Sequence, residues 1–179
     1  MATLWTERGL GGLEFPRSGR EEALAALRSG FLIPENAAHT YVGNGGNKSV
    51  AQLEDGLNRY FRGETVSFTD VPVDLSWCTP FQKRVLELVR RIAYGEITSY
   101  ARVAAALDHP RAARAVGGVL RENRVPIVIP CHRVVRSDGS PGGFSGGPAW
   151  KTRLLALEGR APDGDGRYRL TNNPQCANI

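Results

Sequence analysis

One methionine, three cysteines and three histidines are a thin supply of redox and metal-binding side chains for 179 residues. The cysteines, Cys78, Cys131 and Cys176, lie far apart and form no C-x-x-C pair. Neither a disulfide framework nor a zinc ribbon is therefore expected. Cys131 is left to exist as a free thiol in a reducing compartment. No apolar run approaches the roughly 20 residues that a spanning helix needs, so no membrane partner is expected. Residues 1–17 carry several glycines but no continuous apolar stretch of the kind a signal peptide has. A cytoplasmic location is the expectation, associated with the nucleoid, or nuclear in a eukaryote. The glycine-rich run Gly43-Asn44-Gly45-Gly46-Asn47-Lys48-Ser49 lacks the G-x-x-x-x-G-K-[ST] spacing of a phosphate loop and reads as a flexible loop. His39, between Ala38 and Thr40, has no ligand partners near it in sequence and reads as a loop histidine.

What is present is a lopsided charge. The net charge is +5, yet residues 1–81 are net acidic. Between positions 82 and 136 stand Lys83 and ten arginines, Arg84, Arg90, Arg91, Arg102, Arg111, Arg114, Arg121, Arg124, Arg133 and Arg136, against Glu87, Glu96, Asp108 and Glu122. A basic field confined to one half of the chain is what a phosphate-binding surface requires. The length allows one domain of ordinary size or two small ones.

The early residues give mixed signals. Residues 10–15 read as a short strand after a glycine turn, and 21–27 as a short amphipathic helix stopped by Gly30. A helix is expected over 50–61, with Ser49 as N-cap, Leu53, Leu57, Tyr60 and Phe61 on one face, and Gly63 as its stop. Residues 71–75 read as a strand or linker. Thr79-Pro80 then opens a strong helix, with Thr79 as N-cap and Pro80 at its first position. Phe81, Val85, Leu88, Val89 and Ile92 form its buried face, and Gly95 is expected to end it. A second helix starts near Ile97, capped by Thr98 or Ser99. Asp108-His109-Pro110 breaks the chain, and a third helix is expected over 111–122. Two short helices in this order, the second rich in arginine and alanine, fit either a helix-turn-helix or an ordinary antiparallel pair. Gly117-Gly118 inside the second costs about 1 kcal/mol per glycine relative to alanine, which suggests close approach of another backbone or of DNA. Residues 137–148 form a glycine-rich loop carrying Phe144. A last helix over 149–158 buries Leu154, Leu155 and Leu157. The polar remainder, 161–179 with Cys176, reads as a tail.

The most telling stretch is Pro126-Ile127-Val128-Ile129-Pro130-Cys131-His132-Arg133-Val134-Val135. Two prolines remove backbone donors and are expected to hold the segment extended. By itself the pair Cys131-His132 has two readings: a buried structural cysteine beside a capping histidine, or a nucleophile beside its base.

The residues around it resemble the O6-alkylguanine-DNA alkyltransferases, the methylated-DNA–protein-cysteine methyltransferases. The resemblance runs through Thr79-Pro80-Phe81-Gln82, Tyr94-Gly95-Glu96, Ser99-Tyr100, Arg114-Ala115-Val116-Gly117-Gly118 and Asn123. It continues through Pro130-Cys131-His132-Arg133-Val134-Val135, Phe144-Ser145-Gly146-Gly147 and Lys151 to Gly159. Upstream, only Tyr60-Phe61-Arg62-Gly63 matches. The resemblance implies an α/β N-terminal domain (a small sheet with helices) over 1–75. A mostly α C-terminal domain with a winged-helix-like helix-turn-helix follows over 76–160.

It also implies direct, irreversible, single-turnover transfer of an alkyl group from O6-alkylguanine, and from O4-alkylthymine, in double-stranded DNA to Cys131. His132 would act on the thiol through a bridging water, and Glu158 would orient His132. Asn123 would hold the recognition helix and the active-site strand together, and Tyr100 would give a proton toward guanine N3. Such a cysteine needs surroundings that lower its pKa. Arg114 would fill the space of the flipped nucleotide, with Ala115, Gly117, Gly118 and Arg121 on the helix laid into the minor groove. The backbone of Cys131, Val134 and Ser145, with Phe144 and Gly146, would receive the base.

No cofactor is implied, and DNA is bound by a monomer with room for cooperativity. Some relatives hold zinc in the N-terminal domain; with no cysteine before Cys78, no metal is expected. Phe144 replaces a tyrosine found in some relatives, which bears on tolerance for bulky adducts. The competing functions are a non-catalytic lesion-binding relative, against which Cys131 argues, and an alkylation-sensing transcriptional regulator, which would carry a cysteine-rich sensor domain.

Overall fold

The computed structural model describes residues 2–15, 40–41 and 48–171. The expected helix over 21–27, His39, the glycines at 43–46 and Cys176 lie outside these residues. Strands β1 (Ala2–Thr6) and β2 (Gly9–Glu14) form an antiparallel hairpin, and β3 (Thr40–Tyr41) pairs with the other edge of β1, giving the order β2-β1-β3. The strand read at 10–15 is thus β2, and β1 had no counterpart in the sequence reading. Gly9 is required at the turn: its φ is +133°, and a Cβ there would lie 2.5 Å from the Pro72 carbonyl oxygen. That closeness lets Leu10 N–H donate to Pro72 O at 2.8 Å and Asp74 N–H to Leu10 O at 3.0 Å. Leu13 N–H donates to Arg124 O at 2.8 Å, which fastens the sheet to the C-terminal half.

Helix α1 (Lys48–Phe61) buries Val50, Leu53, Leu57 and Tyr60 at helical spacing. It starts at Lys48, so Ser49 is a helical residue and not the expected cap. Helix α2 (Pro80–Arg90) has the Thr79 cap as expected, completed by Gln82 in a reciprocal capping box. Its C-cap is Arg91, earlier than Gly95, because a 3₁₀-type turn closes it through Arg91 and Ile92. Arg90 leaves the surface and donates to the carbonyls of Phe68, Thr69 and Val71, binding the preceding linker to α2.

Strand β4 (Thr98–Ser99) pairs in parallel with β5 (Val134–Val135). Ser99 then caps α3 (Tyr100–Ala106), accepting from Arg102 N–H, and Thr98 is a strand residue. Helix α4 (Ala113–Arg121) is shorter than the expected 111–122 and has no side-chain cap. Between it and β5 the chain is not extended. Ile127 adopts φ +72°, Ile129 N–H donates to Val125 O at 2.9 Å, and Cys131–Arg133 form one 3₁₀ turn. Val125, Ile127, Val128 and Ile129 are all buried, and their burial outweighs the extended bias of the two prolines.

Helix α5 (Pro148–Leu157) buries Leu154 and Leu155, but its third inward residue is Lys151, and Leu157 is only half-buried. Residues 161–171 do not trail away as a tail. Tyr168 is buried with Ile97, Val135 and Leu155, and its N–H donates to Gly139 O at 2.8 Å. Thr171 bonds Ile97 in both directions. The main apolar core runs from Trp5, Leu10, Leu13 and Phe15 through the inner faces of α1, α2 and α4 to residues 125–131 and Leu154. Among the described residues no helix is long and apolar enough to cross a membrane.

Candidate active site

The β4–β5 pairing places Tyr100, the first residue of α3, beside the segment that begins at Cys131. Cys131 is 3% exposed. Its Sγ accepts a hydrogen bond from Asn123 Nδ2 at 3.1 Å, and the same amide donates to Ile129 O at 2.9 Å. Asn123 Oδ1 accepts from Val125 N–H at 3.1 Å. The side chain after α4 therefore holds the turn that presents the thiol.

His132 is fully buried, with Nε2 2.8 Å from Glu158 Oε1. Glu158 follows α5 and accepts bonds on both oxygens. Arg133 reaches it twice, Nε to Oε2 at 2.9 Å and Nη2 to Oε1 at 2.8 Å. Gly95 N–H adds a bond to Oε2 at 3.1 Å, and Tyr60 Oη donates to Oε1 at 2.6 Å. Burial by itself would push the Glu158 carboxyl up, but the bonds from His132 and Arg133 overcome it and hold it well below the usual carboxylate range. Burial pulls His132 down more than Glu158 lifts it, so the imidazole is neutral. With a carboxylate on Nε2, that ring carries its proton there, and Nδ1, buried without a hydrogen-bond partner, presents a lone pair.

The thiol behaves differently from expectation. Burial pushes Cys131 up, and the Asn123 bond and the Lys151 charge only partly offset this. Cys131 rests as a thiol. Low solvent exposure costs the anion more than these neighbours and the adjacent backbone N–H groups return. Lys151 is fully buried, donates from Nζ to Val134 O at 2.6 Å, and lies 5.7 Å from the Tyr100 ring centre. Burial brings it down to about 8.

A cavity of about 500 Å³ opens at Tyr100, whose ring neighbours Lys151. Tyr100, Arg114, Gly117, Gly118 and Arg121 form one wall, and Arg136, Ser137, Gly142 and Gly143 form the other. A Cβ on Gly118 would meet nothing within 4 Å, and one on Gly117 would touch only the Tyr100 ring. The glycines therefore face open space and are not packed against another backbone. Ala115 is exposed, on a different side of α4 from buried Val116. Tyr100 Oη donates to Gly143 O at 3.3 Å, tying the glycine loop to α3. Within that loop Ser145 is exposed, and Phe144 meets the His132 ring edge-on at 6.4 Å. Gly146 is sterically required, since a Cβ would stand 2.7 Å from the Phe15 ring. Val134 is buried, with its carbonyl already accepting from Lys151.

Tyr60, Gly95, Arg133 and Lys151 join the site without having been singled out for it. Tyr60 lay on an apolar helix face and read as core. Arg133 was counted in the basic field, yet it is 5% exposed and spent on Glu158 and the Ile92 carbonyl. Among the described residues no group of three or more His, Cys, Asp or Glu could hold a metal ion.

A buried thiol, an imidazole lone pair held ready by a buried carboxylate, and an arginine-bearing helix lining an open cavity form an arrangement in which a single cysteine can act on a substrate brought in from outside. Comparison with known proteins narrows this reading. Residues 80–160 match the family described as 6-O-methylguanine DNA methyltransferase, DNA binding domain. The chain is 48% identical over 118 residues to the methylated-DNA–protein-cysteine methyltransferase of Methanopyrus kandleri, spanning 65% of this chain and 86% of that protein. A crystal structure of the Mycobacterium tuberculosis O6-methylguanine methyltransferase superposes with a TM-score of 0.62 at 33% identity, covering 91% of this chain and 96% of that one. A second structure, of the M. tuberculosis OGT in complex with DNA, gives 0.57 at 43% identity over 60% of this chain and 64% of that one. The chain belongs to the methylated-DNA–protein-cysteine methyltransferase family, and its small sheet with several helices has that family's architecture.

Proposed function

We propose that this chain repairs DNA by moving an alkyl group from O6-alkylguanine, or from O4-alkylthymine, to Cys131, once per molecule. The observation that carries this reading is the contact of Cys131 Sγ with Asn123 beside a His132 held by Glu158.

In the proposed reaction the thiol proton passes to His132 through a bridging water, for which the unpartnered Nδ1 is the acceptor. Sulfur attacks the alkyl carbon in line with the C–O6 bond. The S–C bond forms as C–O6 breaks, and the electron pair returns to guanine, which takes a proton at N3 from Tyr100; the Tyr100 phenolate regains a proton from the His132 imidazolium through solvent. Because burial leaves Cys131 a thiol at rest, the thiolate forms only with its acceptor in place. The transfer balances without a cofactor. The thioether is stable, so the protein is consumed.

DNA is the proposed partner of a monomer, with α3 and α4 as a helix-turn-helix and α4 in the minor groove. Open space at Gly117 and Gly118 supports close approach of a backbone there. Exposed Arg114, in the first turn of α4 at the cavity rim, fits the role of filling the stack behind an extruded nucleotide. Phe144 meets Phe15 edge-on at 5.8 Å and His132 edge-on at 6.4 Å, and would form the apolar side of the base site.

Incubation with a duplex carrying O6-methylguanine, followed by intact-mass measurement, tests the proposal. One methyl gained per molecule, and none in Cys131→Ser, is the expected result; an unchanged mass for the native chain overturns it.

A further inference from the structure

Tyr60 lies in the last turn of α1, far in sequence from the nucleophile, and is 0% exposed. Its hydroxyl points away from the apolar cluster around its ring, made of Phe61, Phe68 and Tyr94 at centroid distances of 5.5, 6.0 and 5.8 Å. It donates to Glu158 Oε1 at 2.6 Å and stands 3.4 Å from His132 Nε2. A short O–H···O⁻ bond of this kind belongs to the strong charge-assisted class. Oε1 thus takes three donors, from Tyr60, His132 and Arg133. Core packing alone does not require this hydroxyl, because phenylalanine would fill the same space.

We propose that Tyr60 is a positioning residue for the transfer: its hydroxyl shares Glu158 Oε1 with His132 and so limits how tightly that carboxylate binds the histidine. This rests on the alkyl-transfer reading of Cys131 and His132 but is testable apart from it. An anion that already accepts a phenol proton attracts the imidazole proton less. The other groups facing His132 are Cys131, Arg133 beside it and Lys151 from α5, with Tyr94 facing Glu158. None of these donates to Oε1 except Arg133, which a Tyr60 variant leaves in place. The hydroxyl therefore adds to burial in keeping His132 neutral, with its Nδ1 lone pair free for the thiol proton. It is contributed by the half of the chain that lacks the nucleophile.

The experiment compares the native chain, Tyr60→Phe, and a chain carrying 3-fluorotyrosine at 60, whose more acidic phenol is a stronger donor. The imidazole titration of His132 is followed by ¹⁵N NMR, and the acid limb of methyl transfer from an O6-methylguanine duplex is measured beside it. Tyr60→Phe is expected to move the His132 midpoint up by about one pH unit, and fluorotyrosine to move it down, with the acid limb following. Equal midpoints in all three chains, or an imidazole that stays neutral in all three, overturn the proposal. A purely structural tyrosine would lower the unfolding midpoint and leave the titration where it was. If Tyr60→Phe does not fold, the near-isosteric fluorotyrosine chain decides the outcome. The NMR titration needs no alkyl transfer, so a native chain that takes up no methyl counts against the repair function and not against Tyr60.

Discussion

Asn123 and Cys131 share a clasp: the Asn123 amide lies 3.1 Å from the sulfur and 2.9 Å from the Ile129 carbonyl oxygen, closing the turn on both sides of Pro130. Asn123→Ala removes these bonds and also strands the Val125 N–H. Buried groups left unpaired cost about 1–3 kcal/mol each. A loss of about 2–4 kcal/mol in urea unfolding is expected, together with a larger fall in methyl transfer, because the sulfur loses its support.

The buried thiol should be slow toward reagents that bring no base of their own. Since burial raises Cys131, iodoacetamide at pH 7.5 is expected to modify it roughly tenfold or more slowly than free cysteine. The rate should climb with pH beyond the ordinary thiol range near about 8.5. Mass mapping separates Cys131 from Cys78, which burial pushes up to about 11. A fast reaction at Cys131 that levels off below pH 7 would contradict a resting thiol.

Glu158 ties stability to acidity. A carboxyl held below its unfolded value contributes stability that is fully present above about pH 4.3 and lost as pH falls through its folded value. Unfolding followed from pH 6 downward should therefore show a stability loss beginning near the unfolded value, and Glu158→Gln should flatten that part of the curve. At pH 7 the same variant leaves the buried Arg133 without its anion. A cost of about 3–5 kcal/mol in urea unfolding is expected.

Arg114→Ala separates extrusion from chemistry. Repair of a duplex should slow sharply while reaction with a free O6-alkylguanine base changes little, as measured by methyl uptake on Cys131. Equal slowing of both would remove Arg114 from any role in flipping.

Packing of the segment beyond residue 160 can be tested at Tyr168, which fills the space between Ile97, Val135 and Leu155. Tyr168→Ala is expected to cost about 3 kcal/mol by thermal or urea unfolding. A surface tail would show no change.

Local chemistry was the part of this structure that the sequence displayed. Thr79-Pro80-Phe81-Gln82 announces α2 because capping needs only neighbours three residues apart. The Gly9 turn and β2 were visible for the same reason. β1 was not read at all, and the pairing of Thr98-Ser99 with Val134-Val135 was hidden because two-residue strands carry no period and their partners lie far along the chain. Ile127 runs against its own preference: a β-branched residue at positive φ is held there by burial on every side. Within the site, Cys131 and His132 stand out by type and adjacency, whereas Asn123 and Glu158 were recognisable only through the family resemblance. Tyr60 and Lys151 were hidden because a tyrosine on an apolar stripe and a lysine in a helix have commoner uses. Arg133 was misplaced on the surface for a related reason, since a run of arginines does not reveal which one turns inward.

The five hydrogen bonds converging on Glu158 originate at residues 60, 95, 132 and 133, on segments that meet only in the finished fold. A chain with any of those segments out of place has a carboxylate wrongly solvated and a histidine wrongly held. Readiness to react is thus withheld until assembly is complete. For a protein that can fire once, this arrangement reserves transfer from DNA for fully folded copies: a half-made or unravelling chain has no histidine held beside its thiol to draw off the proton.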